Sequence, residues 1–264
     1  MSGPKLAALY GLIPNKLGFC GPKQELLKKF ILGKLSIPEI IPTLEKFEAA
    51  YAYYQLIARK NKISDPFNKK VVEAYWLGNE LLDKFTADDL RHFIIERLCQ
   101  PGLLSPKEAA KRAALVPAGS KPHHSFHVMI LGSITGSVDF TGNTKLKDVC
   151  RVGWGRVVSI CHPELALPRR SLGGGWDSGS RSRNEFGMTK NKIIVSYAPL
   201  IGKKNLEFGK PKRKEIIWDK DLLESIEIGE WVSFHWGYAI QTLNEENIFN
   251  LYKYTQNTLD SLNS

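Results

Sequence analysis

Over residues 1–116 the apolar positions recur at helical spacing, and beyond Pro117-Ala118-Gly119 they shift to short β-rich runs. Pro22 opens a first segment with Leu26, Leu27, Phe30 and Ile31 on one face, and Gly33 closes it. From about Pro42 a second helix is predicted, with Phe47, Tyr51, Tyr54 and Ala58 sharing a stripe. Asp65-Pro66 supplies an N-cap and a first-turn proline for a third, carrying Val72, Tyr75, Trp76 and Leu82. Thr86 caps a fourth, with Leu90, Phe93, Ile94 and Leu98 inward. Ser105-Pro106-Lys107-Glu108 is a capping box for a fifth that ends near Val116. Gly78 and Asn79 interrupt the third helix, so Gly78 predicts the close approach of another backbone and Asn79 a hydrogen bond to a loop of the second half.

The β-rich runs are His127–Gly132, Arg156–Ile160, Lys192–Tyr197, Glu215–Trp218 and Trp231–Trp236. Gly, Ser and Arg dominate residues 169–190, which read as a long loop inserted between strands. Asn244 caps a terminal helix over 244–262, with Ile248, Leu251, Tyr252, Thr255 and Leu259 facing the strands. The expected fold is therefore α+β. A helical domain (1–116) of antiparallel helices precedes a small OB-like β-barrel domain with a C-terminal helix (117–264).

Composition supports a globular chain able to build an ordinary core, since 43% of the 264 residues are hydrophobic and 24% charged. No apolar run approaches the roughly 20 residues that span a bilayer, and the N-terminal stretch is not a signal peptide. A cytoplasmic location without membrane association is the expectation. Four cysteines, none in a CxxC pair, point to reduced thiols rather than a disulfide framework. The net charge of +10 concentrates in runs such as Lys203-Lys204 and Lys210–Lys214, which read as solvated surface.

Candidate chemistry concentrates in His123-His124-Ser125-Phe126-His127, where three of the six histidines lie within five residues. On a strand, His123 and His127 would share a face, with His124 pointing away. A metal could join them only with a bend or a third ligand; the alternative is a polar strand start bonded to loops. Cys20, between Gly18 and Gly21 and just before a helix, would have its thiolate favoured by the helix dipole if it is functional. An ordinary turn with a buried cysteine is the competing reading. Cys99 and Cys161 read as structural.

Two further segments carry a family resemblance. Cys150-Arg-Val-Gly-Trp-Gly155-Arg156-Val157 is similar to the opening of the HypC/HupF family of nickel–iron hydrogenase maturation chaperones. There a cysteine precedes a short apolar stretch, a Pro-Gly, a basic residue and a valine. Ile228-Gly-Glu-Trp-Val-Ser-Phe-His235-Trp-Gly237-Tyr-Ala239 resembles that family's strand Val-Gly-Asp-x-Val-x-x-His-x-Gly-Phe-Ala. The resemblance covers a little under half of the chain. It implies an OB-like barrel that carries iron bearing cyanide and carbon monoxide ligands. The implied partners are a HypD-like iron–sulfur maturation protein or a hydrogenase large subunit. The family's essential cysteine and supporting histidine map to Cys150 and His235. Two departures stand out: Cys150 is internal, so no free α-amine adjoins it, and Trp154 replaces the usual proline.

Thiolate suits such a soft iron centre, and Arg151 and Arg156 flank Cys150 closely enough in sequence to favour its ionisation. The sequence thus leads to a hydrogenase-maturation-like metallochaperone or scaffold, a carrier more than a catalyst. Its expected metal ligands are Cys150, Cys20, His123, His124, His127 and His235, and Cys150, His235 and Arg156 are expected to hold the iron fragment. The second expectation is an enzyme that uses His123, His124 and His127 to hold zinc or ferrous iron, with Asp139 and Asp148 nearby. A nucleic-acid-binding barrel stacking bases on Trp154, Trp176 and Trp236 ranks last, because the basic residues do not interleave with aromatics.

Overall fold

The computed structural model describes residues 1–22, 25–100, 102–135, 137–161 and 191–264. The expected loop at 169–190, with Trp176, lies outside them. The architecture is α+β, with helices, a mixed five-stranded sheet and a C-terminal helix.

The first half opens with a helix absent from the periodicity reading, α1 (Gly3–Lys16). Ser2 caps it by accepting from the Lys5 N–H at 3.4 Å, and Pro4 occupies its first turn. It is buried on nearly all sides, from Leu6 to Asn15, and so shows no amphipathic stripe. The next helices are α2 (Leu26–Ile31), α3 (Ile37–Leu44) and α4 (Glu48–Lys60). The single helix expected from Pro42 is thus two, and Phe47 lies at the break, buried, instead of on a helix face.

In α5 (Lys69–Trp76) the cap is Asn68, whose side chain accepts from the Lys70 N–H; Asp65 only closes the preceding turn by accepting from the Phe67 N–H. The helix stops before Gly78 because Gly78 adopts φ +86° and a side chain there would strike the Tyr254 ring. The close approach expected at Gly78 is therefore made by a side chain of the terminal helix and not by backbone. Asn79 caps the short turn Glu80–Leu82, and its carbonyl accepts from Tyr254 Oη at 2.7 Å. Helices α6 (Ala87–Arg97) and α7 (Pro106–Ala114) start at Thr86 and Ser105 as the sequence indicates.

The run His127–Gly132 is not a strand. His123 caps one helical turn, α8 (His124–Phe126), which continues as a π-helix over His127–Leu131. The segment is buried on nearly every side, and periodicity does not separate a short continuous apolar run from a strand. A further short helix, α9 (Thr144–Cys150), is capped by Asn143, which accepts from the Leu146 N–H at 2.9 Å. Cys150 therefore ends a helix.

Strand β1 (Gly153–Cys161) pairs antiparallel with β2 (Asn191–Tyr197). A small hairpin, β3 (Leu200–Ile201) and β4 (Glu207–Phe208), intervenes before β5 (Lys212–Trp218), β6 (Trp231–His235) and β7 (Tyr238–Leu243). The pairings run β1-β2-β5-β7-β6 and return to β1. Among the described residues, only the short β5–β7 contact, at Ile217 and Tyr238, is parallel. The β6–β7 turn consists of Trp236 (φ +51°) and Gly237 (φ +77°), the signs of a type I′ hairpin that matches the strand twist.

The terminal helix α10 (Glu245–Asn263), capped by Asn244, buries Leu251, Tyr254, Thr255, Thr258 and Leu259. Tyr252 falls off that stripe and is exposed, with Tyr254 in the position expected of it. The largest apolar cluster joins α1, α4, α5 and α6 to Ile240 and Leu243 of β7 and to Leu251 and Tyr254 of α10. A second cluster, with Val157, Ile193, Val195, Ile216 and Val232, fills the space between the strands.

Candidate metal centre

Three segments distant in sequence meet where the helical part abuts the sheet. Helix α8 contributes His124, the end of α9 contributes Cys150, and the end of β6 contributes His235. All three are buried, and one ligand atom from each lies within 4.8 Å of the others. The β6–β7 turn fixes the approach, since the Trp236 N–H donates to the Val149 carbonyl at 3.1 Å and locks the strand end onto α9.

Both imidazoles point Nε2 at one atom. His124 Nε2 lies 2.9 Å and His235 Nε2 2.7 Å from the Cys150 carbonyl oxygen. Their other nitrogens are also held: His124 Nδ1 lies 3.0 Å from Tyr75 Oη, and His235 Nδ1 2.8 Å from the Tyr10 carbonyl. For His235 the two partners are both acceptors. Only the imidazolium could donate to each, yet burial pushes its pKa down to about 4, so near neutrality the ring carries one proton. One nitrogen lone pair then faces a carbonyl oxygen at under 3 Å. If Nδ1–H serves Tyr10, as the second nitrogen of a metal-ligating histidine commonly serves a carbonyl, Nε2 is left free for a cation beside Cys150. The donor set of two imidazoles and one thiol fits zinc or iron.

The walls are aromatic. Trp76 stacks on Tyr10 at 5.0 Å and lies 4.5 Å from the His124 ring and 5.5 Å from that of His235. Burial accordingly dominates the titrations. The His124 pKa falls well below its usual value, first by burial and then through His235 and His127. That of the Cys150 thiol rises well above its usual value, by burial and then by Cys20, with the Trp236 indole pulling it slightly back. Trp236 Nε1–H makes no hydrogen bond of ordinary geometry among the described residues.

The arginines do not act on Cys150 as the sequence suggests. Arg151 is buried and committed to Asp148, at 3.0 Å through Nε and 2.9 Å through a terminal nitrogen. Asp148 also accepts from Tyr197 Oη and the Leu200 N–H, so the group clamps the chain after α9 and is not a base in the site. Arg156 is exposed and donates to the Gly229 carbonyl at 3.0 Å, away from Cys150.

Cys20 and His127 line the same cavity as the three convergent residues. Cys20 sits in the loop after α1, with its carbonyl held by Asn15 Nδ2 at 2.9 Å. The residue retains exposed surface, but its thiol is enclosed enough that burial raises its pKa to about 11. Helix α2 begins only at Leu26, too far on for its dipole to favour the thiolate. His127, on the π-helix, has its pKa lowered to about 4 by burial and then by Arg112. His123 stands apart, its ring against Tyr254 and its pKa lowered to about 3 by burial, partly offset by the Trp76 carbonyl. Asp139 is not enclosed, and Cys99 and Cys161 do not line the cavity.

Sequence reasoning missed Tyr10 and Tyr75 as the groups that orient the histidines. The signal for Tyr75 lay in its place beside Trp76 before the Gly78 stop; Tyr10 sits on the helix that periodicity did not reveal. Of the tryptophans suggested for base stacking, Trp236 turns into the cavity and Trp154 lies beneath the Arg151 guanidinium.

The fold and site define an α+β protein with a buried imidazole–thiol cluster between a helical layer and a mixed sheet. By sequence the chain belongs to a family of unknown function, DUF6390, whose profile matches residues 1–185 and 185–264. No curated protein and no solved structure matches it. Among the described residues, no helix is long and apolar enough to cross a membrane.

Proposed function

We propose that this protein binds a transition metal through His124 Nε2, His235 Nε2 and Cys150 Sγ, and that it serves as a metallochaperone or scaffold for an iron centre. The observation that carries the reading is the His235 ring, buried and neutral between two carbonyl oxygens, with Nε2 turned toward Cys150 and His124. Tyr10 and Tyr75 hold the outer nitrogens, and Trp76 and Trp236 limit the access of water. A bound iron fragment with cyanide or carbonyl ligands would supply a soft centre for the thiolate.

The likeness to the hydrogenase maturation chaperones supports the carrier role. The two segments that bear it are neighbouring strands, with Gly153 opposite Phe234 and Trp154 opposite Ser233. The circuit of strand pairings is consistent with an OB-like barrel. A HypD-like protein or a hydrogenase large subunit is the proposed partner, and the cytoplasm the proposed compartment. A second reading, a metal-dependent enzyme, is favoured by one observation: the cavity beside the cluster has a volume of about 450 Å³, far more than diatomic ligands need.

The test is metal analysis and infrared spectroscopy of protein purified without oxygen from cells expressing the hydrogenase maturation machinery, alongside Cys150→Ala. Iron with cyanide and carbonyl bands, both lost in the variant, is the result the carrier reading expects. Metal that depends on Cys150 but shows no such bands rejects the carrier role and leaves the enzyme reading.

A further inference from the structure

The three proposed metal ligands are only part of the lining of their cavity. The remainder includes Phe19, Phe47, Phe140 and Trp236, with Ala49 and Ala50 from α4 leaving space between the rings. A volume of about 450 Å³ lies within the range of small-molecule pockets, roughly 300–1,000 Å³. The wall is built and not incidental. Asn15 Nδ2 donates to both the Cys20 and Pro22 carbonyls, at 2.9 and 2.7 Å, which pins the loop, and Phe19 lies 4.7 Å from Trp236 between ring centres.

The absence of buried charge among the described lining residues specifies what would fit. The lining residues that bear full charges, Lys46 and Glu48, are both exposed and opposite in sign. An ionised guest would lose its hydration with no buried counter-charge to replace it.

We propose that the cavity is a binding site for a small uncharged aromatic molecule, held between the phenylalanine and tryptophan rings. The proposal extends the metal reading, because the guest would abut the open side of the cluster, but it does not depend on a metal being present.

Calorimetric titration of the full chain, metal-free and metal-loaded, with phenol, indole, toluene, benzoate and benzylamine tests it. Phenol and indole should bind saturably, at least about tenfold more tightly than benzoate or benzylammonium. Ala50→Trp, which fills the space from a residue outside the metal cluster, should abolish binding of all of them, with the circular dichroism of the wild type retained. Charged probes that bind as well as phenol, no binding of any probe to the folded chain, or phenol binding unaffected by Ala50→Trp would each overturn the proposal. Metal uptake measured on the same samples keeps the two readings separate: phenol binding without metal leaves this one standing, and metal binding without phenol sinks it.

Discussion

His235 carries a single proton between two carbonyl oxygens, and the cost of that arrangement is what a bound cation would relieve. The same reasoning applies to Tyr75, whose hydroxyl orients His124 from outside the cluster. Tyr75→Phe removes only that hydroxyl, and metal affinity should fall about 10–100-fold in a competition titration while the fold is kept. The four buried histidines also set a pH response for the metal-free chain. Their folded pKa values lie below the unfolded value of about 6.5, at about 3 for His123 and about 4 for His127 and His235, with His124 also lowered. Unfolding therefore takes up protons between about pH 6.5 and 4. Stability is full above that window and falls as pH drops through it, by about 1.4 kcal/mol per pH unit for each histidine. Urea midpoints across this range check the sign, and midpoints that rise toward pH 5 would refute it. At this scale the sequence was informative about residue type: Cys20, His124, His127, Cys150 and His235 all drew attention from it and all line one cavity. It was silent on Tyr10, whose part is played by a backbone carbonyl that no side-chain pattern announces.

At the scale of elements, legibility followed exposure. Helices with one wet face and a cap, such as α6 and α10, could be read directly, because Thr86 and Asn244 stand before regular stripes. Helix α1 could not, since burial on nearly every side erases the stripe, and the histidine run was read as a strand for the same reason. That misreading mattered for the site. On a strand His124 would point away from His123 and His127, whereas on α8 it reaches Cys150 and Tyr75. The stop after α5 gives a sharper prediction. Gly78→Ala forces a β-carbon into the Tyr254 ring at a positive φ, and should cost at least about 2 kcal/mol in equilibrium unfolding. A cost below about 0.5 kcal/mol would show that α10 does not seat on that turn.

Across the whole molecule, the helical segment and the strand-rich segment share their largest apolar cluster, and Tyr10 Oη reaches Ser233 Oγ of β6 at 2.8 Å. A division near residue 117 describes the change in sequence pattern, but the core runs across it. Thermal unfolding should therefore show one cooperative transition, and a fragment of residues 117–264 should lack the near-ultraviolet circular dichroism of packed aromatics. Two separable transitions would indicate independent domains. The proposed metal centre depends on this joint, since the strand-rich segment supplies His124, Cys150 and His235 while the helical one supplies Tyr10, Tyr75 and Trp76. The most direct measurement is the optical spectrum of the chain titrated with cobalt(II) under anaerobic conditions, for the wild type, Cys150→Ser and His235→Ala. The account predicts one equivalent of cobalt with a thiolate-to-metal charge-transfer band, the band lost in Cys150→Ser and binding weakened in His235→Ala. Cobalt bound without that band, or a spectrum indifferent to both substitutions, would contradict it.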